Sequence, residues 1–230
     1  MKLLAIETTT DVCSVAVLNE DAISEYHENV PRRHAELVMG AIDGLLEENH
    51  LALEDLDAVA FGRGPGSFTG VRIGAAVAQG IAFGATLPVI PISSLAALAQ
   101  GAFREFGWRR IVAAQDARMD EIYAGAYVVN VDDRVELVGE EAVVPPDELE
   151  VPPGGGWGGA GSAFDVYCAV LDATLGGAMV SLEPGFACPR ARDVALLGAQ
   201  AWLRGEHVSA AQAQPVYLRD KVTRPKAVRS

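Results

Sequence analysis

Two rhythms of apolar and polar positions alternate along this chain, and each change of rhythm marks an element. Leu3-Leu4-Ala5-Ile6 is a short apolar run of the kind that buried strands show. Polar Glu7-Thr8-Thr9-Thr10-Asp11 follows as a turn. Cys13–Leu18, rich in β-branched residues, predicts a second strand. After Asn19-Glu20-Asp21 a third strand covers Ala22–Glu28, and Pro31 closes the meander. From about Arg33 to Glu48 the period turns helical, with Val38, Ile42, Leu45 and Leu46 on one face and Glu36, Asp43 and Glu47 off it. Leu56–Phe61 predicts a strand. Gly62–Gly70 is a glycine-rich loop, and a helix runs from it to about Gly84. Leu87–Ile92 predicts another strand, and Ser93 or Ser94 caps a helix that ends near Gly107.

The order then begins again. Ile111–Gln115 predicts a strand, Asp116-Ala117-Arg118-Met119-Asp120 a polar turn, Glu121–Val129 a second strand and Val135–Val138 a third. Pro145-Pro146 and Pro152 through Gly161 mark loops, with a short strand near Trp157. Helices are expected over Ala163–Ala173 and Ala191–Leu203. Strand-turn-strand-turn-strand thus occurs twice without a repeat in the letters. The pattern predicts an α/β fold with mixed sheets in two similar halves. The expected units are residues 1–108, residues 109–205 and a C-terminal tail over 206–230.

Charge changes the picture at one end. The net charge of -13 argues against broad nonspecific binding of nucleic acid by the chain alone. Residues 190–230, however, hold eight Lys/Arg against three Asp/Glu. This basic stretch reads either as a solvated terminus or as an arm that meets an acidic partner or RNA. Cys13, Cys168 and Cys188 are odd in number and widely spaced, which fits inert buried thiols in a reducing cytoplasm. Met-Lys-Leu-Leu-Ala-Ile-Glu does not read as a signal peptide. Residues 73–103 carry no charge, but Pro88, Pro91, Gln79 and Gln100 interrupt them, so they read as buried helix, strand and helix rather than a membrane span.

The loop Gly62-Arg63-Gly64-Pro65-Gly66-Ser67-Phe68-Thr69-Gly70 lies between a strand and a helix, a context that suits anions. It is no P-loop, since it has no lysine. It is no dinucleotide fingerprint either: Gly64 and Gly66 are followed by Gly70, one residue late. The other reading is structural. Gly62, Gly64, Gly66 and Pro65 shape a turn that Ser67 and Thr69 complete. Gly70, Gly74, Ala78 and Ala82 then form a flat helical stripe on which an element of this chain or of a partner docks. Gly40 and Gly44 form a second small pair.

Other candidates are thinner. His34 opens the first helix, but the next turn offers Val38 instead of a second histidine, so no metal site is expected and His34 reads as a partly exposed side chain. His27, His50 and His207 stand alone. No serine sits in Gly-x-Ser-x-Gly. Glu7, Thr8, Thr9 and Thr10 form a hairpin turn able to wrap a phosphate, or an ordinary polar turn. The Asp116–Glu121 turn, with Arg118, reads as a salt-bridged hairpin or a contact site.

Ile6-Glu7-Thr8-Thr9-Thr10, Arg33-His34-Ala35, the run from Phe61 to Gly74, Asp116-Ala117-Arg118-Met119 with Glu121 and Tyr123, and Pro215-Val216-Tyr217-Leu218-Arg219 together resemble the bacterial TsaB family, also called YeaZ. The resemblance implies an actin/sugar-kinase/Hsp70-like (ASKHA) fold of two related subdomains. It implies a non-catalytic, cytoplasmic subunit of the machinery that makes threonylcarbamoyladenosine in tRNAs reading ANN codons. Its partners would be a TsaD-like catalytic subunit, a TsaE-like ATPase and a second copy of itself, with tRNA met only through the complex and no membrane. The TsaD-like subunit carries a His-x-x-x-His metal motif, of which this chain has only His34. The helical surfaces implied for pairing draw on His34, Leu37, Val38, Gly40, Ala41, Gly44, Gly70, Gly74 and Ala78. No cofactor of its own is implied, although ATP or ADP at the partner junction is compatible with Glu7–Thr10. There Glu7 replaces the Asp common in related proteins, a change of one methylene, roughly 1.5 Å. The competing expectation is an autonomous ATPase of this fold, or the glycopeptidase of older naming.

Overall fold

The computed structural model describes residues 1–182 and 185–219. Among the described residues ten strands form two five-stranded sheets. In the first, β1 (Lys2–Glu7), β2 (Val12–Asn19) and β3 (Ala22–Asn29) are an antiparallel meander. Strands β4 (Ala58–Gly62) and β5 (Val89–Ile92) add in parallel beyond β1, giving the order β3-β2-β1-β4-β5. In the second sheet β6 (Arg110–Asp116), β7 (Ile122–Val129) and β8 (Val135–Val144) repeat the meander, and β9 (Trp157–Ala160) and β10 (Met179–Leu182) repeat the parallel pair, in the order β10-β9-β6-β7-β8. The pairings of the second half match those of the first, strand for strand. This is the duplicated α/β architecture of the ASKHA fold.

Strand β1 is buried on both faces, which is why its sequence is apolar without alternation. Leu4 and Ile6 point to one side, where α1 (His34–Glu48) and α2 (Phe68–Ala85) cover them with Val38, Ile42, Ala75 and Ala78. Leu3 and Ala5 point to the other side, where α6 (Ala191–Leu203) lies. Helix α6 comes close because Gly198 faces the sheet: a Cβ there would stand 3.0 Å from Leu3 and 3.1 Å from Ala60. Helix α2 is long and apolar enough to cross a membrane, yet its Val71, Gly74, Ala75, Ala78, Ile81 and Ala82 are buried inside this protein, so it is a core helix.

The two halves exchange helices. Helix α3 (Ser94–Phe106), from the first half, packs against β6, β7 and β8 of the second sheet. Helix α6, from the second half, packs against the first sheet. Leu95, Leu98, Val194 and Leu197 join one core with Leu3, Ala60 and Ile111. Each such side chain contributes on the order of 2 kcal/mol by its burial. Between the two helices Arg104 grips the wholly buried Asp193 through Nε at 3.0 Å and a second guanidinium nitrogen at 3.1 Å. The boundary expected near residue 108 therefore separates the two sheets but not the two cores.

Four other expectations need correction. The helix over Ala163–Ala173 is two: α4 (Ser162–Val166) and α5 (Cys168–Leu175) meet at Tyr167, whose φ of -117° leaves the helical region. The strand starting at Val135 continues six residues past Val138, with Gly139 at φ +82° inside it. Strand β10 was not anticipated. The tail over 206–230 is not a loose terminus through residue 219. Val208 pairs with Val89, Gln79 donates to the Ala213 carbonyl at 2.7 Å, and Ala213 is fully buried. Lys221, Arg224, Lys226 and Arg229 lie outside the described residues.

Candidate functional site

A cleft of about 670 Å³ opens between the two halves. The turn after β1, the start of α2, the turn after β6, Cys188 and the segment Val216–Arg219 line it.

The first-half turn sits on the glycine-rich loop. A Cβ on Gly62 would stand 1.9 Å from Glu7 Oε2, on Gly66 2.5 Å from the Thr9 carbonyl oxygen, on Gly70 2.0 Å from the Thr8 carbonyl oxygen, and on Gly74 2.8 Å from Thr8 Oγ1. These four glycines, spaced by four, are a bed for residues 7–9. Further bonds fasten the turn: the Thr8 hydroxyl donates to the Gly70 carbonyl at 2.8 Å and the Ser67 N–H donates to the Thr9 carbonyl at 2.7 Å. Ser67 also caps α2, its hydroxyl accepting from the Gly70 N–H at 3.5 Å. Gly64, at φ +97°, reverses the chain beside Pro65, and Thr69 is exposed on the first turn of α2.

Glu7 is withdrawn from the cleft. Its carboxylate is buried, accepts from the Thr9 N–H at 2.6 Å and from the Ser94 hydroxyl at 2.8 Å, and lies against Gly62. Burial pushes its pKa up, and the bonds from Thr9, Ser94 and Thr8 pull it part of the way back. Thr8 is equally enclosed. Of the four residues expected at a phosphate, only Thr9 and Thr10 line the cleft. Thr10 Oγ1 accepts from the Val12 N–H at 3.3 Å. Thr9 Oγ1 is buried beside the Glu7 carboxylate and helps to pull its pKa down.

The second-half turn has the opposite polarity from a phosphate hairpin. Its N–H groups are spent locally: Asp116 donates to Ser162 Oγ at 3.0 Å, Ala117 to the Glu121 carbonyl at 2.9 Å, Arg118 to Asp116 Oδ1 at 2.8 Å and Glu121 to the Arg118 carbonyl at 3.2 Å. Arg118, Met119 and Asp120 all have φ +61°. Each such non-glycine residue costs about 1 kcal/mol. Carbonyl oxygens of the turn accept from the Arg219 guanidinium, Ala117 at 2.9 Å and Arg118 at 3.2 Å, and Arg219 also pairs with Glu121. Sequence reasoning placed a contact at this turn but did not find its occupant, 98 residues from Glu121.

The interface candidates divide by burial. Gly70, Gly74 and Ala78 are buried against this chain, so the stripe docks an internal turn and is no outer surface. His34 is also buried, with Nε2 3.2 Å from the Val12 carbonyl oxygen, contrary to the partly exposed position expected, and Val38 is core. Leu37 and Ala41 are half-buried, and Gly40 and Gly44 face open space. Sequence reasoning missed their counterparts on α2: Gly80 and Gly84, with nothing within 4 Å, beside the exposed Phe83. Their signal was the same spacing of four, one helical face away. Cys168 is exposed and Cys188 half-exposed, so of the three thiols only Cys13 is buried as expected. Among the described residues no group of three or more His, Cys, Asp or Glu could hold a metal ion.

The comparisons fit this geometry. Residues 22–226 match the family described as "TsaD: tRNA N6-adenosine threonylcarbamoyltransferase". The tRNA threonylcarbamoyladenosine biosynthesis protein TsaB of Escherichia coli (strain K12) is 38% identical, covering 96% of this chain and 96% of its own length. Its counterpart from Haemophilus influenzae is 38% identical over 97% of this chain and 95% of its own. The solved structure of YeaZ from Pseudomonas aeruginosa superposes with a TM-score of 0.88 at 44% identity, covering 94% of this chain and 99% of that one. A near-full-length match in sequence, joined to one in fold, places the chain in the TsaB (YeaZ) family, a branch of the wider family that the TsaD match defines.

Proposed function

We propose that this chain is a non-catalytic scaffold subunit of tRNA threonylcarbamoyladenosine biosynthesis. It pairs in the cytoplasm with a TsaD-like catalytic subunit and activates threonylcarbamoyl transfer to adenosine in tRNAs reading ANN codons. One observation carries this reading: the chain has spent on itself both turns that an enzyme of this fold would use on phosphate. Glu7 is tied to Thr9 and Ser94, and the second turn offers carbonyls already taken by Arg219. The names of the near-full-length relatives supply the pathway.

The outer face of α1 and α2 supplies the docking surface. Gly40, Gly44, Gly80 and Gly84 let a partner backbone approach, and Met39 and Phe83, 45% and 83% exposed, offer apolar anchors. The same face accepts a second copy of the chain, a TsaE-like ATPase joins the pair, and tRNA is met through the assembly.

The test is mass spectrometry of tRNA nucleosides after depletion of the chain in its own cell. Threonylcarbamoyladenosine is expected to fall and to return with the wild-type chain, but not with a folded Gly80→Arg variant. Unchanged levels under verified depletion would overturn the pathway reading. Robust ATP turnover by the purified chain would overturn the scaffold reading.

A second reading rests on Thr9. Thr9, which lines the cleft beside Thr10 and the N-terminus of α2, suits a phosphate of ATP or ADP held at the partner junction. Isothermal titration of the chain with ADP, with and without the TsaD-like subunit, tests it: binding only with the partner supports it, and none in either case removes it.

A further inference from the structure

The described segment after α6 runs back over the cleft. It crosses the cleft, touching both halves within four residues. On the first half the Val216 N–H donates to the Arg63 carbonyl at 2.8 Å, and the Val216 carbonyl oxygen lies 3.1 Å from where a Cβ on Gly64 would stand. Tyr217 faces Arg72, whose guanidinium carbon lies 5.1 Å from its ring and 3.3 Å from that of Phe68. On the second half Arg219 takes the carbonyls of Ala117 and Arg118 and the Glu121 carboxylate, and approaches Met119 Sδ at 3.7 Å.

Two carbonyls and a carboxylate converging on one planar fork are a receptor for a guanidinium. The receptor is built on Arg118, Met119 and Asp120 in three successive left-handed conformations. Such conformations persist where surrounding contacts over-determine them. Arg219 spans the turn from Ala117 to Glu121 and so supplies contacts on both sides of the strained residues.

We propose that the 117–121 turn is a guanidinium-binding site, filled from within the chain by Arg219, and that this contact is the latch that holds the strap over residues 215–219 across the cleft. When Arg219 leaves, the turn relaxes out of the left-handed region, and the strap over residues 215–219 lifts from Arg63. The cleft wall formed by Val216, Tyr217 and Leu218 goes with it. The latch follows from contacts inside one chain and stands whether or not the scaffold reading holds.

Hydrogen exchange read by mass spectrometry on the full chain tests it. In Arg219→Ala the amides of 116–121 and of Val216 are expected to exchange about 10-fold faster, while β1, β4 and α6 keep their protection. Millimolar ethylguanidinium is expected to restore the turn, since it refills the receptor without rebuilding the chain. Arg219→Lys, which keeps the charge but not the fork, is expected to show the same local loss with a smaller amplitude. Unchanged protection of the turn in Arg219→Ala would overturn the latch. So would a loss spread evenly over both sheets in both variants, or a local loss that ethylguanidinium leaves untouched.

Discussion

The Glu7 carboxylate and the Ser94 hydroxyl meet at 2.8 Å although 87 residues separate them. The contact joins the end of β1 to the start of α3, the helix that crosses to the second sheet. It also fixes what Glu7 does. A carboxylate that accepts from Thr9 and Ser94 while buried is a structural acceptor, and its protonation is coupled to folding.

That coupling predicts a pH signature. Burial raises the Glu7 pKa above its ordinary 4.5, so the folded state favours the protonated form. The contribution is therefore fully present below 4.5 and is lost as pH rises through the folded value. Glu7→Gln keeps an acceptor but does not titrate. Urea midpoints across this range should show wild type losing stability relative to Glu7→Gln as pH rises. A flat difference would mean that Glu7 is not buried as described.

The bed of glycines under the turn predicts which small changes the chain rejects. Gly70→Ala drives a methyl into the Thr8 carbonyl oxygen, a backbone atom that moves only with β1. Overpacking of this kind costs about 3 kcal/mol. Gly62→Ala meets the Glu7 side chain and costs about 2 kcal/mol, an amount that Glu7→Ala in the same chain should largely relieve. Denaturant unfolding of the two single variants and the double variant measures the relief.

Outward glycines of the same helix should behave in the opposite way. Gly80 has open space where a Cβ would go, so Gly80→Ala should stabilise α2 by about 0.8 kcal/mol through helix propensity. Gly80→Arg should fold equally well yet weaken association. Thermal melts and light scattering with the TsaD-like subunit separate the two effects.

Asp193 predicts the cost of parting α3 from α6. Arg104→Ala leaves a wholly buried carboxylate without its cation and should cost about 3 kcal/mol. Glu105→Ala, which removes the exposed partner of the same arginine, should cost at most about 0.5 kcal/mol. Equal losses in the two variants would contradict the grip described for Asp193.

Legibility followed the range of the forces involved. The bounds of α6 at Ala191 and Leu203 were readable because amphipathic period is a local property. Likewise Ser93, whose hydroxyl accepts from the N–H groups of Leu95 and Ala96 at 3.2 Å, caps α3 where its sequence suggests. The doubled meander was readable for the same reason. The inward direction of Gly70 and Gly74 was not, because one glycine stripe looks like another until the turn it carries is placed. Arg219 and Glu121 were unreadable as a pair, since nothing local links residues 98 apart. Strand β10, only four residues long, was too short to stand out from a loop.

The exchange of helices also orders events during synthesis. The face of the first sheet that shows Leu3, Ala5 and Ala60 waits for α6, whose last residue is Leu203. From Ile92, the end of that sheet, translation at roughly 5–20 residues per second takes on the order of 10 s to reach it. For that interval the nascent chain holds an uncovered apolar wall at the ribosome exit. The molecule therefore covers the second face of its first sheet only after α6 has left the ribosome.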